Sequence, residues 1–518
     1  MPDWTYQPLR GIAGALLGVR RSRLVALRAL ATVGSLPGGG WVVARALGHR
    51  HPPAHLAGTV NGVPVRSRLG AVVPPEVARD AVRALPLLGA GVVEVAPAVG
   101  ADAAIRDAVA VARIPVLVRN ANPAAQGSAV GHEAPEGSAV GHPTAPSVAV
   151  GALAVPNVVH LTTPSIAAAV GALADPDALV LATPSVLIDA GPGWFARVVE
   201  AATPTTPPGR TVGRDPRRWP AWWWGLLVGL GMVAGGLVAA AIALGPVLLW
   251  YDRAFLGAGV DHLHHVNHRL VGFLQHDRIT LAGTMVSIGV LYAGLSAGGL
   301  RRGWPWAREA YLVSWWVGFP TLLYFLGFGF LEPLHLTAAA VLFPMFLLSA
   351  RRRPSPQWTV LPEGDERVRR RALVGQLLIV VTGVGLFVGG VVVSVVGLTE
   401  VFVASDLEFL GAAAADLADA NPRLLAFIAH DRAGFGGALM SAAAAITLLG
   451  AWGWRRGEAW VWWTLALAAA AGFLPAVVVH GVIHYTDFLH LAPVFVGITT
   501  TVTALALARP YLCAPARW

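Results

Sequence analysis

NHRLVGFLQHDRITLAG, residues 267–283, and NPRLLAFIAHDRAGFGG, residues 421–437, repeat Asn, Arg-Leu, Phe and His-Asp-Arg at identical spacing inside strongly apolar surroundings. The register, an offset of 154, extends outward on both sides. Asp252 meets Asp406, Phe-Leu-Gly at 255 meets Phe-Leu-Gly at 409, Arg-Arg-Gly at 301 meets Arg-Arg-Gly at 455, Trp306 meets Trp460, and Gly318-Phe319 meets Gly472-Phe473. Leu-His-Leu at 334 recurs at 489 with one residue inserted. So many matches in one register indicate an internal duplication.

The chain of 518 residues is 55% hydrophobic and 13% charged, with a mean hydropathy of +0.60, which places much of it in lipid. Its formal charge of +9 comes from arginine alone, since the sequence contains no lysine. These arginines stand in short runs between apolar segments, the pattern that retains loops in the cytoplasm, so nucleic acid is excluded as a partner. The single cysteine, Cys513, forms no internal disulfide. Charged residues at 3, 10, 20, 21, 23 and 28 interrupt any signal-peptide core and suit an interfacial amphipathic helix.

Apolar segments long enough to cross about 30 Å of hydrocarbon are expected at roughly 222–250, 279–300, 311–330, 335–350, 373–400, 433–454, 460–483 and 487–508. The expected fold is therefore an α-helical membrane protein with eight transmembrane helices in two parallel four-helix repeats, 222–353 and 373–518. Linkers are expected at 204–221, rich in Pro and Arg, and at 354–372. Short β-branched runs alternating with Ala-rich stretches make residues 1–203 a small α/β domain. Within it GSAVGH repeats after ten residues, as a loop-forming duplication holding His132 and His142. Eight spans put every arginine loop, the α/β domain and both termini on the cytoplasmic side of a cell membrane.

On this topology His276-Asp277-Arg278 and His430-Asp431-Arg432 open the second helix of each repeat, with His335 and His490 opening the fourth at similar depth. An arginine there needs an anion, for which Asp252, Asp277 and their copies Asp406 and Asp431 are at hand. Asn267, Arg269, Asn421 and Arg423 complete the polar constellation. One reading is an ion-pair lock fixing helix packing. Others are a site for a small anion, a quinone headgroup or protons, or a haem b whose iron takes axial histidines, which requires His276 with His335, or His430 with His490, to face one cavity. The loop DHLHHVNH offers Asp261, His262, His264, His265 and His268 as a candidate metal site that the second copy lacks. His480 and His484, four apart near Asp487, read as interfacial side chains satisfied by water.

In the first 200 residues, YQPLRGIAGALLGV, the run GTVNGVPVRSRLGAVVPPEVARD, NVVHLTTPS and ALVLATPSVLIDAGPGWFARVV resemble, in order, segments of the quinone-dependent dihydroorotate dehydrogenases. That resemblance implies a β/α barrel binding FMN and passing electrons to a membrane quinone. It implies cofactor contacts at Thr163, Gly191 and Gly193. His160, Thr163 and Ser165 stand where the family carries Asn, Ser and Asn, and the lysines its chemistry needs are missing, so a degenerate, catalytically inactive barrel is expected. The membrane half resembles an uncharacterised actinobacterial-type family of multi-pass proteins bearing the same Asn-to-Arg motif. Together these readings suggest a structural or small-ligand-binding membrane protein; the alternative is a quinone-linked membrane redox enzyme using flavin or haem.

Overall fold

The computed structural model describes residues 3–47, 53–60, 62–119, 150–151, 157–203, 212–213, 215–330, 332–351 and 364–515. The GSAVGH duplication with His132 and His142, and most of both expected linkers, lie outside them. The chain divides into two compact units, Met1–Pro204 with Trp358–Asp365 and Thr205–Gln357 with Glu366–Trp518.

The first unit opens with three helices, α1 (Asp3–Leu17), α2 (Val19–Ser35) and α3 (Gly39–Leu47), whose Ile12, Leu16 and Trp41 are exposed. A hairpin, β1 (Gly58–Val60) and β2 (Val63–Val65), precedes six parallel strands: β3 (Leu69–Val73), β4 (Val92–Val95), β5 (Val116–Val118), β6 (Val150–Gly151), β7 (Asn157–Leu161) and β8 (Ala178–Ala182). Their order is β6-β5-β4-β3-β8-β7. Every residue of β3, β4 and β8 is buried, as expected of parallel strands covered on both faces. Helices α4 (Ala78–Leu88), α5 (Asp102–Val109), α6 (Ile166–Leu173), α7 (Pro184–Ala190) and α8 (Trp194–Ala202) connect or follow them.

The second unit is helical: α9 (Ala221–Leu244), α10 (Trp250–Leu256), α11 (Val260–Val266), α12 (Leu270–Gly294), α13 (Pro305–Gly318), α14 (Pro333–Ala350), α15 (Glu366–Leu398), α16 (Ala404–Leu410), α17 (Ala414–Ala420), α18 (Leu424–Gly453), α19 (Ala459–Val482) and α20 (Phe488–Leu512). Among the described residues seven helices are long and apolar enough to cross a membrane, against the eight expected. The chain is thus a multi-pass membrane protein by architecture. The odd one is the expected third span: α13 has 14 residues and gives way to a 3-10 stretch at Phe319–Phe328. Pro320 alone does not explain the change, because α19 passes Pro475 unbroken.

Bare backbone sets the helix spacing. A Cβ on Gly236 of α9 would meet the carbonyl of Ala282 in α12 at 2.8 Å, and one on Gly390 of α15 would meet that of Gly436 in α18 at 2.7 Å. Small residues let helices approach closely in lipid, where the hydrophobic effect does not drive association. The two contacts stand 154 residues apart, so the same pairing is built twice.

Candidate functional site

Helices α12 and α18 begin at Leu270 and Leu424, so His-Asp-Arg follows the first six residues of each helix rather than opening it, correcting the sequence expectation. Depth forces the polar side chains to find protein partners, and they find them in the opposite copy. Arg278 Nε lies 2.8 Å from Asp431 Oδ2, and its Nη1 lies 3.3 Å from Asp252 Oδ2 and 2.6 Å from the Val247 carbonyl. Arg432 mirrors it: Nε is 3.2 Å from Asp277 Oδ2, while Nη1 is 2.6 Å from Asp406 Oδ2 and 2.7 Å from the Val401 carbonyl. Val247 and Val401 hold positive φ angles of 60° and 66°, rare for a β-branched residue, with their carbonyls turned to the guanidiniums. Each arginine also stacks on the motif phenylalanine of the other copy, Arg278 on Phe427 and Arg432 on Phe273, both at 4.9 Å.

The start of the motif crosses as well. Asn267 donates to the Leu410 carbonyl and Asn421 to that of Leu256, while Arg269 and Arg423 donate to Phe409 and Phe255. These are the free carbonyls at the ends of α16 and α10, where Gly411 and Gly257 stop the helices in the left-handed region. Each Asn also accepts from the backbone N–H two residues on, capping its own helix. Asn, Arg, Phe, Asp and Arg of the motif are thereby accounted for by packing.

The histidines are not. His276 gathers with His480 and His490, and His430 with Glu332 and His335; in each group one ligand atom per residue lies within 4.8 Å of the others. In the first cluster the ring centroids of His276 and His480 are 4.3 Å apart, and those of His480 and His490 5.2 Å. His480 Nδ1 lies 2.6 Å from the Ala476 carbonyl, and His490 Nδ1 3.2 Å from the Tyr485 hydroxyl, which donates to Asp406 at 2.8 Å. Burial raises the Tyr485 phenol well above its ordinary range, which keeps that donor protonated. His276 Nδ1 is 3.0 Å from Asp277 Oδ1, close yet too misaligned for a hydrogen bond.

In the second cluster Glu332 Oε2 faces His335 Nδ1 in a short contact and His430 Nε2 at 3.4 Å, while His430 Nδ1 is 3.1 Å from Asp431. Burial works to raise the Glu332 carboxyl, but charge on His335 and His430 outweighs it and holds the group below its ordinary value. Asp252, by contrast, is raised by burial against the pull of Arg278. Beside this cluster His335 and His430 border an apolar cavity of about 90 Å³, walled by Met232, Met285, Trp315 and Phe319.

The haem reading needed His276 with His335, or His430 with His490. Instead His276 pairs with His490 at 6.0 Å and His430 with His335 at 5.6 Å between ring centroids, across the copies. His480 and Tyr485 pack against the first pair and Phe330 against His430 of the second, so these residues as arranged do not present the open faces a haem needs. The loop histidines fail as a centre too: Asp261, His262, His264, His265 and His268 are exposed, and among the described residues no three of them converge. His480, expected to be water-satisfied, is buried, whereas His484 is exposed. Glu332 and Tyr485 were not anticipated; the only trace of Glu332 is its place three residues before His335.

In the first unit Thr163 is exposed after β7. The Gly191–Gly193 turn, the expected phosphate cradle, is filled from within: Gly193 N–H donates to Asp3 Oδ1 at 2.7 Å, and Arg197 holds Asp3 Oδ2 at 2.9 Å. A Cβ on Gly193 would meet that carboxylate at 2.5 Å, so the turn has no room for an FMN phosphate while α1 is docked. No family model, curated protein or solved structure matches this chain.

Proposed function

We propose that this protein is a membrane-embedded binding protein for a small ligand, whose centre lies at the end of the bundle where the two motifs cross. One observation carries the reading: Arg278 and Arg432 each bind two aspartates, while the histidines converge in two clusters that this pairing does not require. A purely structural lock would need no such convergence.

In the same proposal the bundle is two parallel repeats of four crossings. His335 at the start of α14 lies against His430, whose neighbour Asp431 is bound by Arg278 near the start of α12. Both starts therefore share one end, and residues 305–328 return across the thickness of α12. About 21 Å of α-helix and about 20 Å of 3-10 helix suffice for that. Arg301, Arg302, Arg351 and Arg455 then fall at the end opposite the histidines, which supports cytoplasmic termini and a cluster-bearing rim on the outer side.

The first unit fits a degenerate β/α barrel acting as a cytoplasmic scaffold. Its strands follow sequence order with β3 pairing β8, and His160 on β7 reaches Glu94 on β4 at 2.8 Å although the two strands are not neighbours. The exposed apolar side chains of α1–α3 suit an interfacial position on the lipid bilayer.

The test compares His335→Ala, His490→Ala, Arg278→Ala and Arg432→Ala in detergent by size exclusion and thermal unfolding, with metal ions, small anions and lipid-soluble compounds screened for stabilisation. Histidine variants that fold like the parent but lose a ligand-induced shift support the proposal. Histidine variants as unstable as the arginine variants, or a parent protein stabilised by no compound class, overturn it.

A further inference from the structure

We infer that His276, His480 and His490 form a binding site for one transition-metal ion, each contributing one ring nitrogen. The inference deepens the ligand-binding reading above and rests on it.

The outer nitrogen is already assigned in two of the three rings. A carbonyl can only accept, so the 2.6 Å contact to Ala476 puts the proton of His480 on Nδ1 and the lone pair on Nε2. A carboxylate likewise only accepts, so Tyr485 spends its proton on Asp406 and its oxygen receives Nδ1–H of His490. His276 Nδ1 stands 3.0 Å from Asp277 without a hydrogen bond. Imidazole oriented through its outer nitrogen by a carbonyl or a hydroxyl, as in His480 and His490, is an arrangement that metal-ligating histidines adopt.

Two buried ring nitrogens of the cluster lack partners, His276 Nδ1 and His480 Nε2. His480 is 4% exposed, and its Nε2 is buried with no hydrogen-bond partner. A buried lone pair left so is unfavourable unless something binds it. Metal–nitrogen bonds of about 2.0–2.1 Å place tetrahedral ligands about 3.4 Å apart, so rings already within 4.8 Å close on an ion by turning about their side-chain bonds.

Charge agrees. Asp277 and Asp406 adjoin the cluster and share the single guanidinium of Arg432, leaving one negative charge over for a cation. Three imidazoles select zinc, copper, nickel, cobalt or ferrous ions over magnesium and calcium, and leave a fourth position for water or an exogenous ligand. The second cluster is different: Glu332 stands against its two histidines as an acidic partner where the first cluster has a third imidazole.

The experiment uses the full chain in detergent, stripped with chelator and titrated with Zn²⁺, Co²⁺ and Cu²⁺. The expected result is one equivalent bound, tetrahedral visible bands with Co²⁺, and nitrogen hyperfine splitting with Cu²⁺. His480→Ala should weaken binding at least 100-fold, while His264→Ala, in the exposed loop, leaves it unchanged. Absence of nitrogen splitting in the parent protein, equal binding by His480→Ala, or loss confined to His335→Ala overturns the inference. Because the spectra are read on the parent chain, a variant that fails to fold does not rescue it. A parent stabilised by anions or lipid-soluble compounds but not by metals would sink this inference and leave the ligand-binding proposal standing.

Discussion

Replacing Arg432 by methionine is the most direct perturbation of the crossed lattice. Its side chain is 8% exposed and serves two carboxylates, Asp406 at 2.6 Å and Asp277 at 3.2 Å, together with the Val401 carbonyl. Methionine preserves much of the volume but strands both acids, whose side chains are 0% and 5% exposed. Breaking a buried pair from one side costs about 3–5 kcal/mol, and an orphaned carbonyl adds about 1 kcal/mol. At roughly 2–4 °C per kcal/mol the melting temperature should fall by roughly 10–20 °C, read by tryptophan fluorescence and confirmed by size exclusion. The comparison that isolates the mechanism is Arg269→Met. That arginine is exposed and donates to one backbone carbonyl, so its loss should cost about 1 kcal/mol. Adding Asp277→Asn and Asp406→Asn to Arg432→Met should recover most of the stability, since a neutral set no longer leaves charge in a low-dielectric interior. If Arg432→Met melts with the parent protein, or the triple variant is worse than the single one, the arginine is not holding buried acids and the argument fails.

Three further outcomes follow from the same geometry. Asn421→Ala frees the Leu256 carbonyl and should cost about 1–2 kcal/mol, seen as faster hydrogen exchange at the end of α10; Asn267→Ala, less buried, should cost less. Gly390→Val places side-chain atoms against the Gly436 backbone and should separate α15 from α18 at about 1–3 kcal/mol or more, whereas Gly385→Ala, with nothing within 4 Å of its Cβ, should be silent in the same melt. Glu332 has a folded carboxyl held below its ordinary 4.5, so its contribution is present above that value and is lost as the pH falls through the lowered one. Unfolding measured from pH 6 downward should show an acid-side loss that Glu332→Gln lacks; identical profiles would remove Glu332 from the second cluster.

Much of the architecture was legible because lipid imposes simple rules on sequence. A run of about twenty apolar residues reads as a crossing whatever surrounds it, and a repeated register of 154 is visible without coordinates. The third span shows where that reading stops. Its apolar length is adequate, but whether Gly318 to Phe330 coils as α or tightens to 3-10 depends on local backbone preference and neighbours, which hydropathy does not encode. The Gly191–Gly193 turn shows a second limit. Two glycines state that something approaches the backbone closely, yet only the docking of α1 reveals that the visitor is the carboxylate of Asp3, about 190 residues away in the chain.

The sequence by itself determined that charged and polar groups would stand at the helix openings of an apolar bundle and would need partners there, since lipid satisfies none of them. Their place further inside the helices came from the structure. The sequence named the right kinds of partner: aspartates for arginines, and histidines close to both. Tertiary structure alone decided which copy supplies them. Along one helix, Asp277 and Arg278 point to different neighbours, and a pairing inside the repeat looks as good on paper as one across it. The bundle chooses the crossed arrangement, binding Arg278 to Asp431 and Arg432 to Asp277. That choice also carries His276 to His490 rather than to His335, and turns His480, a residue with no counterpart in the first copy, inward to join them.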